Sequence, residues 1–221
     1  MASSGPKLGC QSGPSTDEHF AFLARFGVRH VCASPVIAEP GRLYPRVEEL
    51  QQLREVVERH GLSLEMTDSV LLRSTLIDDE RHPAIMLGSS PERDRDIEAF
   101  QQLLRNCAAV GIGTVKYNLS ILGVVRNCDE TGRGGVVYHG WRRDADSIPP
   151  AQTSAGLVDE STYWERIRYF LERIVPVANE SEVRIACHPH DPGLPAEGYR
   201  GVQCVLGSVD GLEKFLSIGE S

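Results

Sequence analysis

The 221-residue sequence lacks several patterns that would point directly to a function. No apolar run approaches the roughly 18 residues of a membrane span, and the first residues lack the basic and apolar regions of a secretory signal. Lys and Arg number 23 against 31 Asp and Glu, so the net charge is −8. Such a charge repels phosphate backbones and anionic lipids. We therefore expect neither a nucleic acid nor a membrane as the main partner.

Cysteine pairs and glycine-rich loops are also missing. The six cysteines are scattered without a CxxC pair, a pattern typical of reduced thiols in a cytoplasmic protein. No GxGxxG turn and no GxxxxGK[ST] loop occurs, so nothing in the sequence indicates a nucleotide phosphate site. With 41% hydrophobic and 24% charged residues, the composition is that of an ordinary globular domain.

What the sequence does contain is a regular alternation of strand and helix patterns. Short apolar runs are typical of strands, and apolar stripes with helical spacing are typical of helices. The predicted strands are 7–11, 30–35, 62–68, 114–119 and 183–187. The predicted helices begin near residues 15, 47, 90, 161 and 209. Five successive strand–helix units indicate a parallel sheet, because parallel neighbours need a crossover connection.

Two α/β architectures fit this alternation. An open doubly wound sheet binds ligands at a topological switch point, whereas a (β/α)8 TIM barrel binds them on the loops that follow its strands. The long connections here follow strands, notably 70–89 and 120–160, and the opposite connections are short. We therefore predict a single domain over 1–221, an incomplete TIM barrel with about five of eight units and a long loop at 120–160. We expect the open edges of such a sheet to promote aggregation or self-pairing.

The end of the fifth strand carries the strongest chemical signal. Residues 187–192 read Cys-His-Pro-His-Asp-Pro, and a neutral imidazole is a good ligand for Mn, Fe, Zn or Ni. Pro189 separates the two histidines, which favours one metal ligand, His188, over two. The alternative is a histidine that caps the strand or bonds a backbone carbonyl. A metal site needs at least three protein ligands, and no second group with ligand-like spacing is evident.

The fourth strand ends in a second polar group. Lys116, Tyr117 and Asn118 offer a cation, a phenol and an amide to a polyhydroxylated anion. The alternative is that Lys116 is paired or solvated, Tyr117 is packed and Asn118 opens a turn. In the loop that follows, Arg133 is our candidate among three arginines that could bind a carboxylate with two hydrogen bonds. These four residues are the predicted substrate-binding set.

Several segments resemble the mannonate dehydratases of the UxuA type, within the xylose-isomerase-like TIM barrels. They are Lys-Leu-Gly-Cys-Gln at 7–11, Arg-Phe-Gly-Val-Arg-His-Val-Cys at 25–32, Ser-Pro-Glu-Arg-Asp-Arg-Asp-Ile at 90–97, Val-Lys-Tyr-Asn-Leu at 115–119 and Ile-Ala-Cys-His-Pro-His-Asp-Pro at 185–192. The last two are the specific ones, and the others are mainly framework. The resemblance covers nearly the whole chain and implies that it is the N-terminal portion of such a barrel.

The resemblance implies a hydro-lyase that converts D-mannonate to 2-dehydro-3-deoxy-D-gluconate and water in hexuronate (glucuronate) breakdown. It also implies one divalent ion, Mn²⁺ or Fe²⁺, with His188 as the first family ligand, whereas the other ligands have no match in this sequence. His190 stands where many relatives have Asp. Tyr117 and Asn118 match a motif that faces the substrate in this family. The catalytic residues are unknown and expected beyond Ser221, so we expect the 221 residues alone to be inactive.

The expected partner is therefore a small-molecule sugar acid, and the oligomeric state is open, a homo-oligomer included. One alternative is a sugar isomerase or epimerase of the same barrel class, which would carry a Glu/Asp/His/Glu metal set. The other is a non-catalytic, degenerate member of the family.

Overall fold

The structure, a computed structural model, describes residues 7–11, 13–146 and 150–218. Its strands are β1 (Gly9–Cys10), β2 (His30–Ala33), β3 (Ser63–Asp68), β4 (Thr114–Tyr117), β5 (Cys128–Thr131), β6 (Val137–Gly140) and β7 (Arg184–Cys187). Its helices are α1 (Asp17–Arg25), α2 (Val47–Arg59), α3 (Ala84–Leu87), α4 (Glu92–Val110), α5 (Glu160–Glu180) and α6 (Val209–Ser217). None of these described helices is both long and apolar enough to span a membrane.

The main sheet has five strands in the order β1-β2-β3-β4-β7. The first three neighbouring pairs are parallel. Next to β4, the N–H of Arg184 in β7 donates to the carbonyl of Gly113 at 3.0 Å. A register shift opposite β3 interrupts β2 between Val31 and Cys32. The predicted α/β class with a five-stranded parallel sheet is confirmed.

The chain forms two compact units, and the first contains most of the sheet. It consists of the described residues of Met1–Leu71, Arg95–Tyr117 and Ile174–Ala186. Its core joins apolar strand residues to the apolar stripes of the helices, as the sequence periodicity predicted. Among its fully buried side chains are Leu50, Val57, Phe100, Leu103, Leu104, Ile112 and Val115.

The second unit contains most of the long loops that follow the strands. It consists of the described residues of Leu72–Asp94, Asn118–Arg173 and Cys187–Ser221. Within the loop predicted at 120–160, β5 and β6 form an antiparallel hairpin in which Cys128 faces Gly140 and Thr131 faces Val137. The sequence did not predict this hairpin, nor the short helix α3. The prediction of one domain over 1–221 stays a prediction.

Helix α5 contains a proline near its end. A proline inside a helix bends the helix or shortens it, because its nitrogen has no proton to donate. Here the helix is not shortened, since it continues through Pro176 to Glu180. Ile174, Val177 and Ala178 are buried on either side of the proline, and their packing holds the last turn in place despite the missing N–H donor.

Candidate functional site

An ion pair lies at the carboxyl ends of β3 and β4 in the first unit. Asp68 closes β3 and is the register partner of Lys116 on β4. The Nζ atom of Lys116 lies 3.4 Å from Oδ1 of Asp68, with the two side chains 17% and 27% exposed. Ligands of parallel α/β folds bind at this end of the strands. Lys116 is therefore paired, which is one of the states that the sequence left open. Its side chain is still partly exposed, so a ligand can reach it.

Asp68 collects further donors from the ends of neighbouring strands. The hydroxyl of Ser34 donates to Oδ2 at 2.9 Å, and the amide nitrogen of Gln11 lies 3.3 Å from Oδ1. The thiol of Cys32 lies 3.8 Å from Oδ1. We call these four residues and Lys116 the Asp68 cluster. The sequence did not single out Gln11, Ser34 and Asp68, although each one lies within the last two residues of a predicted strand and could have been selected on that ground.

Cys32 acts in this cluster as a thiol. Burial, and then the negative charge of Asp68, raise the pKa of Cys32 to about 12. A thiol with that pKa stays protonated at neutral pH, so it is neither a nucleophile nor an anionic metal ligand. It can serve as a weak hydrogen-bond donor to Asp68.

The two residues that follow Lys116 are largely removed from solvent. Tyr117 is 1% exposed, and its ring packs edge-on against Phe100 with the centroids 5.5 Å apart. This is the packed arrangement that the sequence left open. Asn118 is buried as well, and its backbone N–H donates to the carbonyl of Leu72 at 2.7 Å. Contact of either side chain with a substrate stays a prediction.

His188 follows β7 and is exposed. Its Nδ1 atom lies 2.6 Å from the carbonyl oxygen of Pro189. Because a carbonyl can only accept a hydrogen bond, Nδ1 carries the proton, and Nε2 of the neutral ring keeps its lone pair. None of the described residues bonds Nε2. In the neutral ring, this nitrogen can therefore bind a metal ion.

His190 has the opposite environment. Its Nε2 atom lies 2.9 Å from the carbonyl oxygen of Leu119, and its Nδ1 accepts from the N–H of Leu206 at 3.4 Å. The hydroxyl of Tyr163 donates to the same Leu119 carbonyl at 2.8 Å. Burial lowers the pKa of His190, which favours the neutral ring. Both ring nitrogens are thus used to join the segments that follow β4 and β7, a structural role.

Arg133 lies at the tip of the β5–β6 hairpin and is exposed. The backbone reverses there because Gly134 and Gly135 adopt φ values of 74° and 81°, which favour glycine. Arg142 and Arg143 each form an ion pair with a glutamate. Arg133 forms none with the residues that the structure describes, which leaves its guanidinium available to an anion.

The described residues do not form a complete metal site. Within 7–11, 13–146 and 150–218, no group of three or more His, Cys, Asp or Glu side chains could hold a metal ion. His188 offers one suitable nitrogen, whereas protein metal sites use three or four ligands. The donors of these described residues therefore fit part of a metal site and no more.

Comparisons with known proteins agree on one family. The family model of D-mannonate dehydratase (UxuA) matches residues 20–132 and 146–221. Mannonate dehydratase 2 of Halalkalibacterium halodurans is 28% identical over an alignment 239 residues long, which covers 95% of this chain and 64% of the relative. Mannonate dehydratase of Thermotoga neapolitana is 32% identical over 207 residues, which cover 76% of this chain and 54% of the relative.

The solved structures give the fold. Mannonate dehydratase from Streptococcus suis serotype 2 superposes with a TM-score of 0.79 at 23% identity, covering 99% of this chain and 62% of that one. A D-psicose 3-epimerase superposes with a TM-score of 0.52 at 15% identity, covering 92% and 54%. The fold is thus that of a partial TIM barrel, as predicted.

The match with the family model and the lengths of the relatives together place this chain. It spans between 54% and 64% of the length of these curated relatives. The family model covers well over half of the 221 residues, including β2, β3, β4 and β7 with the polar groups at their ends. The chain therefore belongs to the D-mannonate dehydratase (UxuA) family.

Proposed function

We propose that this chain is part of an enzyme that removes water from D-mannonate and releases 2-dehydro-3-deoxy-D-gluconate. The observation that carries this proposal is the match of the mannonate dehydratase family model across β4, which contains Lys116, and across β7, which His188 follows. The relatives named mannonate dehydratase support it. The proposed setting is the breakdown of hexuronates such as glucuronate in the cytoplasm. A homo-oligomer is compatible with the proposal.

The chemistry gives Lys116 a role. A proton leaves the carbon beside the carboxylate, the hydroxyl leaves the next carbon, and the two depart as one water. The proton is weakly acidic, and negative charge develops on the carboxylate as the C–H bond breaks. A fixed cation beside that charge stabilises the transition state. Lys116 can supply this cation, since Asp68 holds its ammonium group at the end of β4.

Binding of an anionic substrate depends on local cations. The net charge of −8 does not attract a sugar acid over long range. We propose that Arg133 binds the substrate through its guanidinium, which pairs well with carboxylate or hydroxyl oxygens. The amide of Asn118 would bond a hydroxyl group. Tyr117 would position its two neighbours, since its ring lies in the core.

We propose that Nε2 of His188 is one ligand of a single divalent ion, Mn²⁺ or Fe²⁺. An ion of this kind supplies Lewis-acid stabilisation of developing negative charge when it is bound. Among the described residues, no three His, Cys, Asp or Glu side chains come together to hold such an ion, so the proposed site requires further ligands.

The decisive experiment measures formation of the 2-keto-3-deoxy acid from D-mannonate with Mn²⁺ present. It uses the longest form of the protein that its gene encodes, because the 221 residues alone are expected to be inactive. His188→Ala should lower turnover by about 100-fold or more, as expected for a metal ligand. His139→Ala is the matched control: this exposed hairpin histidine pairs with Asp129, and its loss should leave turnover unchanged.

Other results would support a different function. Epimerisation or isomerisation of a ketose without any dehydration of D-mannonate would favour the isomerase alternative. Binding of D-mannonate without turnover, in the presence of Mn²⁺ or Fe²⁺, would favour a non-catalytic family member. Activity that survives His188→Ala would remove this imidazole from the proposed site.

A further inference from the structure

A cavity of about 180 Å³ opens beside Asp68 in the first unit. This volume is smaller than the roughly 300–1,000 Å³ of pockets that enclose a whole ligand, but it is large enough for several water molecules. The cavity can therefore take one end of a longer ligand. The polar side chains that line it are Gln11, Ser15, Ser34 and Asp68, and its apolar lining includes Phe20, Leu23 and Val31.

The Oδ1 atom of Asp68 has only long polar contacts with the described residues. It lies 3.3 Å from Nε2 of Gln11, 3.4 Å from Nζ of Lys116 and 3.8 Å from Sγ of Cys32. The two nitrogen contacts both exceed the 2.7–3.2 Å range of ordinary N–H···O bonds. A ligand hydroxyl at about 2.7 Å would therefore bond Oδ1 more closely than any of these three groups.

The remaining polar groups of the cavity offer a mixture of donors and acceptors. Ser15 accepts the N–H of Ser34 through its hydroxyl oxygen at 3.1 Å, so its own proton can be donated. Gln11 uses its amide nitrogen on Asp68, which leaves its carbonyl oxygen to accept. The hydroxyl of Ser34 donates to Asp68 and keeps its lone pairs. Each hydroxyl of a polyol both donates and accepts, so this set matches a polyol.

We infer that this cavity is a polyol subsite, which binds the hydroxyl-bearing carbons of a sugar acid between Gln11, Ser15, Ser34 and Asp68. The inference rests on the proposed function for its choice of ligand. Lys116 on β4, beside Asp68, can then bind the carboxylate of the same ligand. The apolar side chains of the cavity would contact the C–H groups of the bound sugar acid, and this contact is favourable because it removes apolar surface from water.

Two ligands separate the roles of these groups, because D-mannitol has the hydroxyls of D-mannonate but no carboxylate. We would titrate each into the full chain and follow binding by ligand-observed NMR. Ser34→Ala and Gln11→Ala should each weaken binding of both ligands by about threefold to tenfold, as expected for one lost hydrogen bond. Lys116→Met should weaken binding of D-mannonate only.

Ser63→Ala is the matched control, since this hydroxyl donates to Glu65 at 2.8 Å and does not line the cavity. Circular dichroism would confirm that each variant is folded. Unchanged affinities in both folded variants, Ser34→Ala and Gln11→Ala, would overturn the subsite, and so would undetectable binding of D-mannitol by the unaltered chain. Failure of dehydration would overturn the proposed function alone, because the D-mannitol titration does not depend on turnover.

Discussion

At the scale of the residue, a single carboxylate organises the connection between β2 and α2. Glu49 accepts two hydrogen bonds from the guanidinium of Arg42, both at 2.7 Å. It also accepts the backbone N–H groups of Ala38 at 2.8 Å and Arg46 at 2.7 Å. These bonds, with that of Arg42 the largest contribution, lower the pKa of Glu49 to about 2. The ionised carboxylate is therefore the form that the folded chain requires.

We expect Glu49→Gln to lower the free energy of unfolding by about 2 kcal/mol at pH 7. The folded pKa of about 2 lies below the ordinary value of 4.5. The contribution is thus complete above about pH 4.5 and declines as the pH falls towards 2. Urea unfolding of the unaltered protein and of Glu49→Gln at pH 7 and pH 3 measures this loss of stability, and the difference between the two proteins should shrink at pH 3.

Glu58→Gln is the control: it removes the exposed pair with Arg54 and should change stability by less than about 0.5 kcal/mol. A loss independent of pH would contradict this role of Glu49.

The sequence could not single out residues whose partners are distant along the chain. In helix α2, for example, the helical pattern does not separate Glu49, which bonds Arg42 in the preceding loop, from the exposed Glu58. The two histidines of the motif at 187–192 give the same difficulty. His190 is structural because it bonds Leu119, 71 residues away, and no local pattern reports such a contact. The Asp68 cluster was missed for the same reason.

At the scale of the element, the segments that follow β3 and β4 pack against each other in the second unit. The N–H of Ile77 donates to the carbonyl of Ile121 at 2.9 Å. Gly123 adopts a φ of 64°, and a Cβ atom there would lie 2.8 Å from the backbone nitrogen of Leu76. Backbone cannot move aside as a side-chain tip can. Glycine is thus required at 123 both for its conformation and for this close approach.

Two alanine substitutions separate those requirements. Gly134 also has a positive φ, 74°, but no atom lies within 4 Å of its added Cβ. Gly134→Ala should therefore destabilise the chain by about 1 kcal/mol from conformation alone. Gly123→Ala should cost about 3 kcal/mol, since the collision with the Leu76 backbone adds to the strain. Thermal unfolding of the two variants measures the difference, and equal shifts in Tm would show that the segment at Leu76 yields without cost.

Local periodicity predicted the elements with a long apolar pattern and missed the short helix α3 and the exposed hairpin. The five strands of the main sheet and the longer helices follow from apolar spacing. The hairpin strands Cys128–Thr131 and Val137–Gly140 are mostly exposed and have no apolar alternation to report them. The continuation of α5 through Pro176 depends on the packing of the buried residues around the proline, which the local sequence pattern does not report.

At the scale of the whole molecule, the metal donors among the described residues are fewer than the proposed metal site needs. The chain spans between 54% and 64% of the length of its curated relatives. In the part of the chain that the structure describes, no three metal-binding side chains come together. A single imidazole binds a divalent ion weakly. The ion loses its translational freedom when it binds the first ligand, and each further ligand on the same protein then adds affinity without repeating that loss. Metal binding is therefore a direct test of how this chain contributes to the site.

Electron paramagnetic resonance of Mn²⁺ gives that test, because the free aqueous ion has a strong spectrum that diminishes on binding. With the 221-residue chain, we expect the free-ion spectrum to persist at equimolar Mn²⁺ and to be unaffected by His188→Ala. With the longest form that the gene encodes, we expect the spectrum to diminish, and His188→Ala to weaken binding by about 10- to 100-fold or more. His139→Ala should leave both titrations unchanged. Tight binding by the 221-residue chain that depends on His188 would show that these residues complete a metal site by themselves. Binding by the longest form that is indifferent to His188→Ala would show that the exposed Nε2 is not a ligand.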